Sequence, residues 1–231
     1  MKYTLRVDNL VRKINRMKLS GLLRFKIVRW IYDTFEVSNP RKGEWDFVLK
    51  YLPDVRHLYY PAKIGPLLVL DVGASESLLV HELRGRGYNA YGLDQRDPQD
   101  KIPYFFKRDI TEHVDYFRFE FSCFPHVPPI FNYIVAVSSI EHVGLGAFGD
   151  VAKPNGDRLA LETIHRLLID EGFFIMTVPM AHWRCETARG YSLLDIRNLI
   201  EGLFEIFEIT QANGQLCMAL CKKSKRIENE A

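Results

Sequence analysis

From Leu67 onward, continuous apolar runs alternate with amphipathic stretches. The run LLVLDV, residues 67–72, has the pattern of a strand buried on both faces. ESLLVHELRGRG, 76–87, predicts a helix stopped by Gly87. NAYGLD, YFFKRDI and NYIVAVSS predict the second, third and fourth strands. DRLALETIHRLLIDEG predicts a helix over 157–172 with Leu161, Ile164 and Leu168 facing inward, and FFIMTVP a fifth strand. YSLLDIRNLIEG opens with Ser192 and Asp195 at capping-box spacing. FEIFEITQ and QLCMALCKK are two more strands, joined around Asn213-Gly214, a dipeptide suited to a type I′ turn with positive φ at both positions. An all-parallel Rossmann sheet has no tight terminal hairpin. The pattern predicts an α/β, Rossmann-like sheet, mostly parallel, with an antiparallel strand at its end and helices on both faces.

Upstream, residues 9–35 read as two amphipathic helices broken at Ser20-Gly21. Leu10, Ile14 and Met17 form one stripe, and Leu23, Ile27, Trp30 and Ile31 another. EVSNPRKGEW reads as a loop, and WDFVLKYLPD as a short helix ended near Pro53. The expected division is a helical extension or cap over 1–60 and a nucleotide-binding domain over 61–225.

Charge changes the picture only here. The net charge of 231 residues is +2, yet residues 1–30 carry nine Lys or Arg against Asp8 alone. That segment reads as a cap over the site, a surface for an anionic partner such as RNA or a membrane, or a solvated extension. A hydrophobic content of 47%, with 15 Phe and 11 Tyr, supplies a core and makes disorder a poor description. No apolar run approaches the roughly 20 residues of a membrane span. The N-terminus lacks a secretory apolar core, and Cys123, Cys185, Cys217 and Cys221 form no CxxC pair. The expectation is a soluble, cytoplasmic protein, with Cys217 and Cys221 as core thiols on one face of a strand.

The candidate chemistry sits on the turn after the first strand, Asp71-Val72-Gly73-Ala74-Ser75-Glu76-Ser77. In a doubly wound sheet, ligands lie outside the carboxyl ends of the strands. Gly73 permits close approach of the backbone or an unusual φ. Without two further glycines the turn is poorly suited to a pyrophosphate, which argues against a nicotinamide oxidoreductase. Glu76 is expected at a helix N-terminus, where an acid is favoured. Asp94, ending the second strand, can accept both hydroxyls of a ribose, and Asp109, closing the third, lies in reach of an adenine amino group.

Six stretches in order, VLDVGASES, YGLDQRD, KRDI, AVSSIEHVGLGAFGD, LETIHRLLIDEGFFIMTVP and RGYSLLDI, resemble the class I S-adenosylmethionine-dependent methyltransferases over roughly residues 65–222. SSIEHVGLGAFGD is similar to the motif of one branch of them. The resemblance implies a seven-stranded sheet with an antiparallel last strand and S-adenosylmethionine as cofactor. It implies that Gly73 and Ser75 line the methionine part, that Asp94 holds the ribose, and that Asp109 and Ile110 flank the adenine. Asp71, Ala74, Gln95 and Ser138 complete the expected cofactor set. Ser75 and Ser77 stand where glycines are usual in the family.

SSIEHVGLGAFGD follows the fourth strand and is expected to overhang the reacting centre. Methyl transfer is an in-line displacement in a closed pocket, and an alcohol or amine acceptor must also lose a proton. His142 is the candidate base, and Glu141 would orient it or bind substrate; the alternative is that Glu141 caps a helix and His142 only packs. Gly144, Gly146 and Gly149 read as a mobile lid or as plain turns. Relatives that modify quinone precursors or RNA ends carry Glu-x-x-Glu-His here and bind a divalent ion. This chain has Ser138-x-x-Glu141-His142, so one carboxylate is missing, and no metal is expected even with His182 as a further ligand. The expected activity is methyl transfer to oxygen or nitrogen of a small-molecule, glycan or RNA acceptor; the alternative is a methyltransferase-fold binding module without catalysis.

Overall fold

The computed structural model describes residues 13–14, 17, 23, 26–28, 30, 40–52, 54–55, 67–99, 101–102, 104–112, 119–121, 124–126, 130–180, 185–212 and 216–224. Helix α1 is Pro40–Tyr51. β1, Leu68–Val72, is followed by a 3₁₀ turn, Ala74–Glu76, and by α2, Leu79–Gly85. β2 is Asn89–Asp94 and β3 Phe105–Lys107. β4, Phe119–Phe121, and β5, Phe124–His126, pair as a separate two-stranded sheet that the sequence pattern did not predict. β6 is Phe131–Val137, α3 Gly156–Leu167, β7 Leu168–Pro179, α4 Leu193–Ile200, β8 Phe204–Ala212 and β9 Leu216–Lys223.

The main sheet has seven strands in the order β3-β2-β1-β6-β7-β9-β8. β2, β1, β6 and β7 are parallel neighbours, while β9 runs antiparallel between β7 and β8. The expected sheet and its antiparallel last strand are therefore present. β8 and β9 pair up to Ala212↔Leu216; the Asn213-Gly214 turn itself lies outside the described residues, as do Ser20-Gly21, Cys123 and His182.

Both faces of the sheet are buried, which is why its strands read as continuous apolar runs. Leu70, Val72, Ile134, Ala136, Phe174, Met176, Cys217, Ala219 and Cys221 point to one face, under Leu161 and Ile164 of α3 and Ile196 and Ile200 of α4. Val69, Val135, Ile175, Met218 and Leu220 point to the other, under Val48 of α1, Leu52 just beyond its end, and Leu79 and Leu83 of α2. Cys217 and Cys221 thus sit in the core, and burial pushes their thiols up to about 11 and about 12.

Several boundaries differ from the pattern. α1 begins at Pro40, inside the expected loop, because proline fits the first helical position, where an N–H has no partner. α2 begins at Leu79, three residues after Glu76, so the acid lies in the preceding 3₁₀ turn and not at a helix N-terminus. α3 ends at Leu167, and the next residues already pair with β6 at Phe131↔Leu168. The irregular register there takes up Asp170-Glu171-Gly172, with Glu171 at φ 64°. The Ser192–Asp195 capping box forms as expected. At the N-terminus the described residues 13–14, 23, 26–28 and 30 are helical, with Ile14 and Val28 buried but Met17, Leu23 and Trp30 exposed.

Candidate functional site

Four strand ends meet at the carboxyl edge of the sheet and enclose a cavity of about 210 Å³. β1 delivers Asp71 and the Gly73 turn, β2 delivers Asp94, β3 delivers Asp109 and Ile110, and β6 delivers Ser138 and His142. Trp45 of α1 and Phe148 of the loop after β6 also line it.

Gly73 is fixed by two constraints. Its φ of 84° lies in the left-handed region, and a Cβ there would come within 2.5 Å of Ser139 Cβ. The turn is drawn against the loop after β6, and Ser139 Oγ donates to the carbonyl of Val72 at 2.9 Å. No side chain fits between these two walls.

Asp94 is 7% exposed and is held by backbone amides. Its Oδ2 accepts from the Ser75 amide at 3.1 Å and its Oδ1 from the Arg96 amide at 2.9 Å. The Arg96 guanidinium makes longer contacts at 3.4 and 3.5 Å, bonds Glu76 at 3.2 Å, and lies 5.0 Å from the Phe148 ring centre. Gln95 reaches the Phe148 carbonyl at 3.5 Å. Asp109 is similarly oriented: Oδ1 accepts from the Thr111 amide and hydroxyl at 2.8 and 2.7 Å, and Oδ2 faces Lys153 Nζ at 3.2 Å.

Three expected site residues stand behind the cavity wall. Ala74 is fully buried. Ser75, expected to line the methionine part, turns its hydroxyl inward and contributes its amide, which orients Asp94. Glu141 is 2% exposed and sits 3.8 Å from His142 Nε2, beside the ring and off the cavity surface. Asp71, Gly73, Asp94, Gln95, Asp109, Ile110, Ser138 and His142 all reach the cavity.

His142 Nδ1 is 2.5 Å from the carbonyl of Thr187. A carbonyl only accepts, so Nδ1 carries the proton and Nε2 is left as the basic atom of the neutral ring. Phe148 packs edge-on against the imidazole at 5.1 Å between ring centres. The loop bearing Phe148 is tied at its base. Lys153 N donates to the Gly144 carbonyl at 2.9 Å, and a Cβ on Gly144 would lie 2.7 Å from the Gly156 Cα. Asp150 holds the middle. Burial raises its pKa, but the amides of Gly146, Phe148, Asp150 and Gly144 outweigh that and keep the carboxyl below its usual range.

Sequence reasoning missed Glu44. This α1 residue is 2% exposed, and its Oε1 accepts from Ser138 Oγ and Thr177 Oγ1, both at 2.5 Å. The only signal was an acid between Gly43 and the aromatic Trp45 in a segment read as a loop. Arg96, Arg108 and Phe148 also line the cavity and were not among the expected site residues. Among the described residues no group of three or more His, Cys, Asp or Glu is placed to hold a metal, and no helix is long and apolar enough to cross a membrane.

A family model described as "Caenorhabditis protein of unknown function, DUF268" matches residues 108–230, more than half of the chain. The chain belongs to this family. The span common to the family holds Asp109, Ser138, Glu141 and His142 but begins after Asp94. No curated protein matches the chain. Among solved structures, it is similar to a magnesium protoporphyrin IX methyltransferase from Synechocystis PCC 6803 with bound S-adenosylmethionine, at TM-score 0.53 and 15% identity, covering 80% of each chain. It is also similar to the N-methyltransferase NodS from Bradyrhizobium japonicum WM9 in complex with S-adenosylhomocysteine, at 0.53 and 12%, covering 81% of this chain and 90% of that one. A third is a 1,6-didemethyltoxoflavin-N1-methyltransferase from Burkholderia thailandensis, at 0.53 and 13%, covering 90% and 92%. This DUF268 chain therefore has the class I methyltransferase fold.

Proposed function

We propose that the protein is an S-adenosylmethionine-dependent methyltransferase acting on oxygen or nitrogen of its acceptor. The observation that carries the reading is Asp94. Two backbone amides hold its carboxylate at the mouth of β2, and a ribose diol would take the place of the longer Arg96 guanidinium contacts at 3.4 and 3.5 Å. The residues fit the rest of the group. Gly73 leaves a cradle that a Cβ would fill, Ile110 offers an apolar surface for a flat base, and Asp109 stands at the far end as an acceptor for an amino group. The solved neighbours that hold S-adenosylmethionine or S-adenosylhomocysteine support the same choice.

When bound, the cofactor supplies a methyl group on a positively charged sulfur. The chain's own residues do the rest. Trp45 and Phe148 wall the cavity and exclude water. Nε2 of His142 takes the proton that a hydroxyl or amine acceptor releases, while the Thr187 carbonyl keeps the ring in the required tautomer. Calorimetry with S-adenosylmethionine, S-adenosylhomocysteine and NAD tests the cofactor: micromolar-range binding of the two sulfur nucleosides is expected, and tight NAD binding with neither of them overturns the reading. Methyl transfer to pooled metabolites, glycans and RNA then finds the acceptor. His142→Ala is expected to keep cofactor affinity within a few-fold and to lose about 10²–10⁴ in turnover. Full turnover in that variant would make His142 a packing residue.

A further inference from the structure

The buried carboxylate of Glu44 has no part in the chemistry described so far, yet it lies one hydroxyl away from the cavity. Thr177, at the end of β7, donates its hydroxyl to Glu44 and accepts from the Ser138 amide at 2.9 Å, so its single proton is committed. Ser138 Oγ also donates to Glu44, at 2.5 Å. A serine hydroxyl has one proton and two lone pairs. With the proton committed inward, only lone pairs remain for the cavity that Ser138 lines. The backbone of Ser138 has φ 45°, a conformation uncommon for a residue with a Cβ, and it is kept by the amide bonds to Thr177. α1 thus supplies a charge that polarises a hydroxyl at the end of β6.

From this geometry we infer that Glu44 and Ser138 form the acceptor subsite, and that it selects an amine as methyl acceptor over a carboxylate. The inference rests on the cofactor reading above and gives it a substrate class. An amine N–H meets lone pairs backed by a negative charge and makes a charge-supported hydrogen bond that aims the nitrogen lone pair across the cavity, while a second proton on that nitrogen remains for His142 Nε2 to take. A carboxylate meets the same lone pairs with no proton to offer, next to a buried anion, and is repelled. Ser138 touches the acceptor; Glu44 is a positioning residue acting through it.

A binding experiment tests this without knowing the acceptor. The probes are S-adenosylhomocysteine and sinefungin, an analogue in which an amine-bearing carbon replaces the methylated sulfur. The amine stands where the methyl group and its acceptor meet. Wild-type protein is expected to bind sinefungin more tightly than S-adenosylhomocysteine. Glu44→Gln keeps an oxygen for both hydroxyls but removes the charge. It is expected to leave S-adenosylhomocysteine binding within about threefold and to lower the sinefungin preference at least tenfold. Ser138→Ala, which keeps the Glu44–Thr177 bond, is expected to lower the ratio of sinefungin to S-adenosylhomocysteine affinity in the same way, and that ratio decides the matter if Glu44→Gln binds neither probe. An unchanged preference in a variant that still binds S-adenosylhomocysteine overturns the inference and leaves the cofactor reading intact. Failure of wild-type protein to bind either probe overturns the cofactor reading itself.

Discussion

Asp94 and Gly73 show how single residues set this site. The Asp94 carboxylate is oriented by the amides of Ser75 and Arg96 before any ligand arrives, so that only the longer Arg96 guanidinium contacts need yield on binding. Asp94→Ala should remove charge-assisted hydrogen bonds of about 1.5–3 kcal/mol and weaken S-adenosylmethionine binding at least tenfold by calorimetry, with the circular dichroism of the fold retained. An unchanged dissociation constant would move the ribose contact elsewhere. Asp150 carries a pH signature. Its folded pKa is lowered, so its contribution to stability is complete above the ordinary carboxylate range and fades as pH falls through the folded value. The stability gap between wild type and Asp150→Asn in urea should therefore be larger at pH 7 than at pH 3. A gap that grows toward acid pH would mean that the amides do not hold the ionised form.

At the scale of elements, the loop after β6 departs most from its sequence pattern. Gly144, Gly146 and Gly149 read as a mobile lid or as plain turns, and Gly144 meets Gly156 in a contact: each leaves room for the other's backbone, with the Gly156 Cβ position only 2.6 Å from the Gly144 Cα. Gly144→Ala should cost roughly 1–3 kcal/mol in urea unfolding, because φ is +74° and the space is filled. Gly149→Ala, strained at φ +89° but facing open space, should cost about 1 kcal/mol. Equal costs would remove the contact argument. The strands of the main sheet and their order of appearance were legible because burial on both faces writes long apolar runs, whereas the short β4 and β5 outside that sheet were not. Asp94 and Asp109 were legible because strand ends in such a sheet are where ligands sit. Glu44 was not legible, since its partners Ser138 and Thr177 are 94 and 133 residues away and no local period records such a meeting. The inward turn of Ser75 was also hidden: sequence spacing places a residue on a turn but not the direction of its side chain.

For the whole molecule, the apolar cores decide what unfolds together. The pattern suggested a boundary near residue 60, yet Ile14, Val28, Phe47, Val48 and Leu52 share one cluster with Val69, Leu79, Leu83, Val135 and Ile175 of the sheet. Nearly every described position of α1 from Glu44 to Leu49 is buried, as expected of a helix covered on several sides and not of a loose appendage. The same helix supplies Trp45 to the cavity and Glu44 to its wall, so loss of α1 would open the site as well as the core. The expected behaviour is one cooperative transition. Leu52→Ala and Leu161→Ala, one fully buried residue from each face of the sheet, should each cost about 2–5 kcal/mol and shift the entire transition. Far-ultraviolet circular dichroism, which reports mainly the sheet and its helices, and binding of S-adenosylhomocysteine, which reports the site, should lose signal at the same urea concentration in both variants. A Leu52→Ala protein that loses binding early while the bulk of its secondary structure persists would show that the first 60 residues unfold as a unit of their own.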